Sequence, residues 1–353
     1  MKVLFITHND GLLGSSRSLL DLLVGLGKYQ INPIVVIPKE GLLEKKLIDL
    51  GIPIRIISLP WWVSTQTHHL KSTVSNIREM KTSIHQLVSL IKLQSVDLVY
   101  TNSSVTPVGR IAALLAGVPH IWHIREFGNL DFSLSPMIPK SIFRQIIYSS
   151  QAVICNSQAI KKHYFENRIS GKLHVVYNGV ASEEQITKNT RSTMQESQRK
   201  EYTFLFIGSI SPPKGLEEAI MALQELRCKG INSRLIIVGT GKQSYIEKCS
   251  DLAYKLQVAD SVEFMGYLDD PSEVYSAADC LLMCSKNEAF GRVTAEAMSA
   301  CLPVIGKNSG GTPEVVVDGK TGILYDTEEE LETAMIWMVQ HPAEASQMGL
   351  AGW

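Results

Sequence analysis

Residues 285–325 read SKNEAFGRVTAEAMSACLPVIGKNSGGTPEVVVDGKTGILY. The apolar run DCLLMCS (279–285) leads into this stretch, an amphipathic segment follows at 292–300, and PVIG (303–306) is a second short β-branched run. Strand, loop, helix and strand in that order form a crossover unit of a parallel sheet. The same alternation extends outward. TFLFIG (203–208), RLIIVG (234–239) and VEFMG (262–266) each precede a helical pattern. In the first half VLFITH (3–8), IVVIP (34–38), IRII (54–57), DLVYTN (97–102), PHIWHI (119–124), AVICNS (152–157) and LHVVYN (173–178) alternate with helical stretches near 16–26, 42–50, 105–115, 138–148 and 158–166. Between the halves, ASEEQITKNTRSTMQESQRKE (181–201) has almost no apolar residue and predicts a surface linker. The expected fold is α/β: two doubly wound Rossmann-like domains, 1–180 and 181–353, facing across a cleft. Ligands of such sheets bind outside the carboxyl ends of the strands, in the strand-to-helix loops.

The chain has 353 residues, 45% hydrophobic and 20% charged, ordinary for a soluble globular protein and unlike a disordered chain or a disulfide-stapled miniprotein. No apolar run reaches the ~20 residues of a membrane span; the longest, 111–124, is broken by Gly117, Pro119 and two histidines. The first six residues give way to polar ones, too soon for a secretory signal. Cys155, Cys228, Cys249, Cys280, Cys284 and Cys301 form no C-x-x-C pair, which fits reduced thiols. Cys280 and Cys284 fall in an expected buried strand, so a zinc site is not expected there. These features predict a cytoplasmic protein.

Charge is unevenly spread. Residues 1–178 hold 19 Lys+Arg against 10 Asp+Glu, a net of +9, and the remainder holds 15 against 25, a net of −10. Either each half has an ordinary solvated surface, or the first half faces an anionic membrane surface or lipid phosphate. Trp61-Trp62 and the helix near 138–148, with Lys140 and Arg144, are candidate docking elements for a peripheral position at a membrane, or ordinary packing. There is no basic-aromatic nucleic-acid motif, so no nucleic-acid partner is expected.

Four loops could carry chemistry. In KNEAFGRVTAEAM (286–298), Ala289, Phe290, Gly291 and Arg292 lie where a helix begins, and the unpaired N–H groups of a helix start favour an anion. Glu288 precedes that helix and Glu296 lies within it; spacing alone also fits a helix cap and a solvated glutamate. In SISPPKGLEEAI (209–220), Lys214 is placed at a helix start, unfavourable for the dipole unless an anion is bound or the side chain is solvated. NDGLLGSSRSLLDLL (9–23) carries Gly11 and Gly14 after the first strand, with Ser15 or Ser16 as N-cap. In WHIREFG (122–128), His123 is expected at the cleft mouth or as a satisfied core histidine. A Walker A loop, an H-E-x-x-H motif, a nucleophile elbow and a G-x-G-x-x-G fingerprint are all absent from the sequence.

Together these loops resemble the retaining glycosyltransferases of family 4, with the GT-B fold, over roughly residues 3–325. The most specific part is the E-x7-E pattern of Glu288 and Glu296, followed by Pro303-Val304-Ile305, Gly310-Gly311, Pro313-Glu314-Val315, Asp318-Gly319 and Thr321-Gly322. The resemblance implies roles. Glu296 holds the ribose hydroxyls of a nucleotide-sugar donor, and Glu288 contacts the transferred sugar near its reacting carbon. N–H groups around Ala289, Phe290 and Gly291 bind the diphosphate, and Lys214 neutralises its charge. His123 contacts the sugar or positions the acceptor hydroxyl. Gly14 and Ser15 belong to the N-terminal glycine loop, and Asn178-Gly179-Val180 marks the crossing between domains. The implied activity is hexosyl transfer, UDP-sugar favoured, to a lipid-linked or saccharide acceptor in surface polysaccharide (capsule-type) synthesis, with no metal and no cofactor.

The departures from the family pattern are specific. Gly208 is followed by Ser209 where the family commonly has Arg, and Arg292 could supply that missing charge. Gly-Phe-Gly becomes Ala289-Phe290-Gly291, Gly-Gly becomes Gly14-Ser15, and a common glycine becomes Cys301. Family members usually end in a helix returning to the first domain, whereas this chain stops at Trp353, as a truncated piece or one lacking the crossover. Two alternatives stay open: a GT-B nucleotide-sugar epimerase and a non-catalytic donor-binding partner subunit.

Overall fold

The computed structural model describes residues 1–64, 71–166, 168–181 and 201–353, with backbone alone at 71–76. The expected linker at 181–201 falls, apart from its two end residues, outside the described residues. The chain divides into two units, Met1–Gly179 and Val180–Trp353.

The first unit contains β1 (Lys2–Thr7), β2 (Asn32–Ile37), β3 (Ile54–Ile56), β4 (Val63–Ser64), β5 (Leu98–Asn102), β6 (His120–Ile124), β7 (Ser135–Pro136), β8 (Ala152–Cys155) and β9 (Leu173–Val175). Seven of these form a parallel sheet in the order β3-β2-β1-β5-β6-β8-β9. Strands buried on both faces read as continuous apolar runs, and β1, KVLFIT, is such a run. Alternate side chains serve opposite faces. Leu4 and Ile6 pack with Leu87, Ile91, Val108 and Ala112 on one side. Val3 and Phe5 pack with Leu19, Leu23, Leu43 and Leu47 on the other. Leu87 and Ile91 come from the helix Lys71–Leu93, which is additional to the helical stretches read from the sequence. Strand order reverses between β1 and β5, which makes their carboxyl ends the switch point of the sheet.

The second unit repeats the plan with β10 (Tyr202–Ile207), β11 (Ser233–Val238), β12 (Val262–Gly266), β13 (Cys280–Met283), β14 (Val304–Lys307) and β15 (Gly322–Tyr325), in the parallel order β12-β11-β10-β13-β14-β15. Its switch point lies between β10 and β13. β15 and the helices Glu328–Gln340 and Pro342–Gly352 extend this unit beyond the alternation described above. Thr327 and Glu330 form a capping box at the first of these helices. Cys280 and Cys284 are buried, and burial pushes the Cys284 thiol up to about 12. Cys301, where the family has a glycine, takes a left-handed backbone with φ of 58°.

The tryptophan pair divides. Trp62 is buried, with its ring 5.9 Å from Trp122 at an interplanar angle of 8°, and its Nε1–H donates to the Ser104 carbonyl at 2.7 Å. Trp62 is therefore a packed residue, while its neighbour Trp61 stays partly exposed, its ring 5.6 Å from that of His8. Arg144 is likewise engaged, donating to the His163 carbonyl at 2.8 Å and pairing with Glu166 at 3.6 Å. Trp62→Ala is expected to cost about 3 kcal/mol and Trp61→Ala under about 1 kcal/mol. Urea titrations followed by circular dichroism measure both, and equal losses would contradict the division.

Candidate donor and acceptor loops

In the second unit the loops after β10, β13 and β14 pack together. Pro212–Lys214 form one tight 3-10 turn, and Gly215 follows with φ of 74°. A Cβ on Gly215 would stand 2.4 Å from the Cys284 carbonyl oxygen, so only glycine lets this turn lie against the end of β13. The helix therefore begins at Leu216, and Lys214 lies before it rather than at its start. The lysine has its own partner: Nζ is 2.6 Å from Glu288 Oε2, both side chains largely buried. Glu288 thus supplies a negative charge beside Lys214, which stands next to the N-cap of the helix.

Glu288 sits in the loop after β13. The Gly311 N–H donates to its carbonyl at 2.6 Å. A Cβ on Gly310, which has φ of 59°, would stand 2.4 Å from the same carbonyl oxygen. Ala289 and Phe290 are buried, and Gly291, with φ of 88°, is the N-cap of the helix Arg292–Ser299. One turn into that helix Glu296 accepts from Arg292 Nε at 2.6 Å and from the Tyr275 hydroxyl at 3.1 Å. Arg292, read as a substitute diphosphate cation, is thus engaged with Glu296. Ser209 is exposed just past β10. Tyr275 was missed by sequence reasoning because it lies 21 residues from Glu296, on the separate helix Ser272–Ala277.

In the first unit His123 is the penultimate residue of β6 and buried. Its Nδ1 shares a hydrogen bond with the Tyr100 hydroxyl on β5, while its Nε2 is buried without a partner. Burial, then the neighbouring Arg125, hold the imidazole well below its ordinary pKa of 6.5, so it is neutral. Burial raises Tyr100 to about 12, which keeps its hydroxyl protonated. Arg125 donates to the side chains of Asn102 and Asn178. Buried Glu126 accepts from the Ser103 hydroxyl at 2.8 Å and the Ser104 hydroxyl at 2.7 Å. Asn102 Nδ2 donates to the Ser15 carbonyl at 3.1 Å. Leu13 is the N-cap of the helix Gly14–Leu26, so neither Ser15 nor Ser16 caps it. Both serines lie in the first turn, where the Ser16 side chain is buried. Among the described residues no three His, Cys, Asp or Glu side chains stand together as a ligand set for a metal.

Two family models match the chain. Residues 14–184 match Glycosyltransferase Family 4, and residues 188–352 match Glycosyl transferases group 1. The chain carries a family 4-like and a group 1 glycosyltransferase domain. Their two parallel sheets are those of the GT-B fold, and the chain aligns over its full length with 93% of the Anabaena protein HepE in complex with UDP-glucose, at a TM-score of 0.79 and 21% identity. An uncharacterized glycosyltransferase of Methanocaldococcus jannaschii is 28% identical over 243 residues, 67% of this chain and 63% of that protein. A GDP-mannose-dependent alpha-(1-6)-phosphatidylinositol monomannoside mannosyltransferase of Mycolicibacterium smegmatis is 35% identical over 159 residues, 41% of each. The chain thus spans less than two thirds of the length of these curated relatives. The paired Lys214–Glu288 and Arg292–Glu296 side chains lie in the group 1 domain, and His123, Gly14 and Ser15 in the family 4-like domain.

Gly310→Ala is expected to cost roughly 1–3 kcal/mol, because the loop holding Glu288 must move; thermal melting measures the loss, and an unchanged melting temperature would contradict the fit. In the family 4-like domain, burial lowers His120 to about 3, and His123 is depressed with it. The folded chain keeps both neutral while the unfolded chain protonates them below about 6.5. Stability is therefore present above that pH and is lost as pH falls toward the folded values, by about 1.4 kcal/mol per pH unit per histidine. Urea midpoints at several pH values between 7.5 and 5 should fall accordingly, and His120→Gln should flatten the slope.

Proposed function

We propose that this protein transfers a hexosyl group from a nucleotide-sugar, a UDP-sugar in preference to a GDP-sugar, to a lipid-linked or saccharide acceptor with retention, in surface polysaccharide synthesis. The observation that carries this reading is the gathering of two carboxylates and two cations at the switch point of the group 1 sheet, Glu288 with Lys214 and Glu296 with Arg292.

Cleaving the anomeric carbon–oxygen bond to the diphosphate builds negative charge on the leaving group and positive charge on the sugar. Lys214 and the N–H groups at Phe290–Arg292 stabilise the first, and Glu288 the second. Glu296 takes two hydroxyl hydrogen bonds from the ribose, exchanging them for contacts with Arg292 and Tyr275. Neutral His123 offers Nε2 to the sugar or the acceptor hydroxyl. The reaction uses these side chains in place of a metal or cofactor. HepE is described with UDP-glucose and the Mycolicibacterium smegmatis mannosyltransferase as GDP-mannose-dependent.

The uncharged Ser209, at the position of a common family arginine, favours a second reading, a non-catalytic donor-binding subunit. Thermal-shift screening with UDP- and GDP-sugars, followed by transfer assays, separates the readings. Transfer is expected, with Glu288→Ala lowering kcat by about 10²-fold or more and Glu296→Ala weakening donor binding by roughly tenfold or more. Donor binding without transfer or hydrolysis supports the subunit, and turnover of donor without acceptor supports an epimerase. Transfer unaffected by both substitutions overturns the assignment.

A further inference from the structure

The family 4-like domain contains an apolar cavity away from His123. It has a volume of about 500 Å³, within the range of small-molecule sites. Its walls include Met80 of the helix Lys71–Leu93, Ile111 and Leu114 of the helix Val108–Ala116, and Ile146 of the helix Lys140–Tyr148. Among its lining residues only Arg110 and Ser149 are polar. Apolar side chains also stand open to solvent at its wall, Leu114 at 64% exposure and Ile77 at 51%. Ile142, 47% exposed, lies one helical turn before the lining residue Ile146. Exposed apolar surface gathered at one opening marks an interaction site.

The charged residue in the lining, Arg110, is a cation. Arg110 donates through Nε to the Ser149 hydroxyl and through Nη2 to the Ser149 carbonyl, both at 3.2 Å. Among the described residues no carboxylate pairs with this half-buried guanidinium, although burial disfavours its charge. Lys140 is exposed two residues beyond Ile138, and Lys81 is exposed one helical turn beyond Ile77. No acidic residue lines the cavity. An apolar chamber with a guanidinium in its wall fits an occupant with a hydrocarbon body and an anionic head. A guanidinium held by neutral oxygens keeps N–H groups for a phosphate.

We propose that this cavity receives the hydrocarbon chain of a phosphate-bearing lipid, a polyprenyl phosphate or its sugar-loaded form, with Arg110 engaging the phosphate. The proposal rests on the lipid-linked acceptor reading and names where that lipid is held. Chain burial supplies affinity without demanding a particular length, and Arg110 fixes which end faces outward.

Co-sedimentation of the full chain tests it, with phosphatidylcholine vesicles alone and doped with a polyprenyl monophosphate. The wild type is expected to prefer the doped vesicles. Leu114→Asp places a charge on an exposed apolar wall and should reduce binding to both by about tenfold or more. Arg110→Gln should abolish the preference for doped vesicles while leaving residual binding. The thermal shift given by a nucleotide-sugar should be unchanged in both variants, which separates failure of this site from failure of the donor reading. Equal sedimentation of wild type, Leu114→Asp and Arg110→Gln overturns the proposal. So does a wild type that ignores lipid but forms a dimer in solution that Leu114→Asp dissociates, since the apolar face then belongs to a second copy of the chain.

Discussion

Direct backbone-to-backbone contact between loops is the constraint on which the group 1 domain's polar cluster depends. Gly310 and Gly311 lie against the carbonyl oxygens of Glu288 and Ala289, and Gly215 against that of Cys284, at separations that admit no Cβ. Three loops from three strands are thereby held in direct backbone contact. The polar side chains that project from them, Lys214, Glu288 and Ser309, inherit that fixity; the Ser309 hydroxyl donates to the Lys286 carbonyl at 2.7 Å. Placement of charge by rigid backbone costs little reorganisation when a ligand arrives.

The two parallel sheets were legible because their central strands are short apolar runs buried on both faces, followed by glycine- and serine-rich turns. What escaped has a physical explanation. The helix Lys71–Leu93 begins KSTVSNIREMK, a polar turn with no capping signal, and among its described side chains Leu87 and Ile91 are buried in the core. The doublet Trp61-Trp62 looks like a membrane anchor, but the indole N–H of Trp62 finds the Ser104 carbonyl inside. Lys214 stands directly before the left-handed N-cap Gly215, and its charge is met by Glu288, 74 residues away in the chain. The E-x7-E spacing located Glu288 and Glu296, yet gave no sign that each is matched to a cation.

The family 4-like domain shows a different kind of illegibility. Ser103, Ser104, Arg125 and Glu126 look like loop residues in a linear reading, but they are buried together at the carboxyl ends of β5 and β6. A buried carboxylate is tolerated where several donors converge on it. Glu126 receives two hydroxyls and the Ser104 N–H, all from 22 or 23 residues away. Arg125 reaches Asn178, one residue before the first unit's end at Gly179. Such convergence is a property of strand order, which local sequence does not express.

The match between Lys214 and Glu288 has a wider meaning. An ammonium and a carboxylate 2.6 Å apart cancel each other's field beyond a few ångströms. Solvent counter-ions therefore gain little by gathering there. Any anion that comes to this lysine contends with a tethered rival whose effective concentration never changes, and whatever it gains is measured against that internal carboxylate rather than against water.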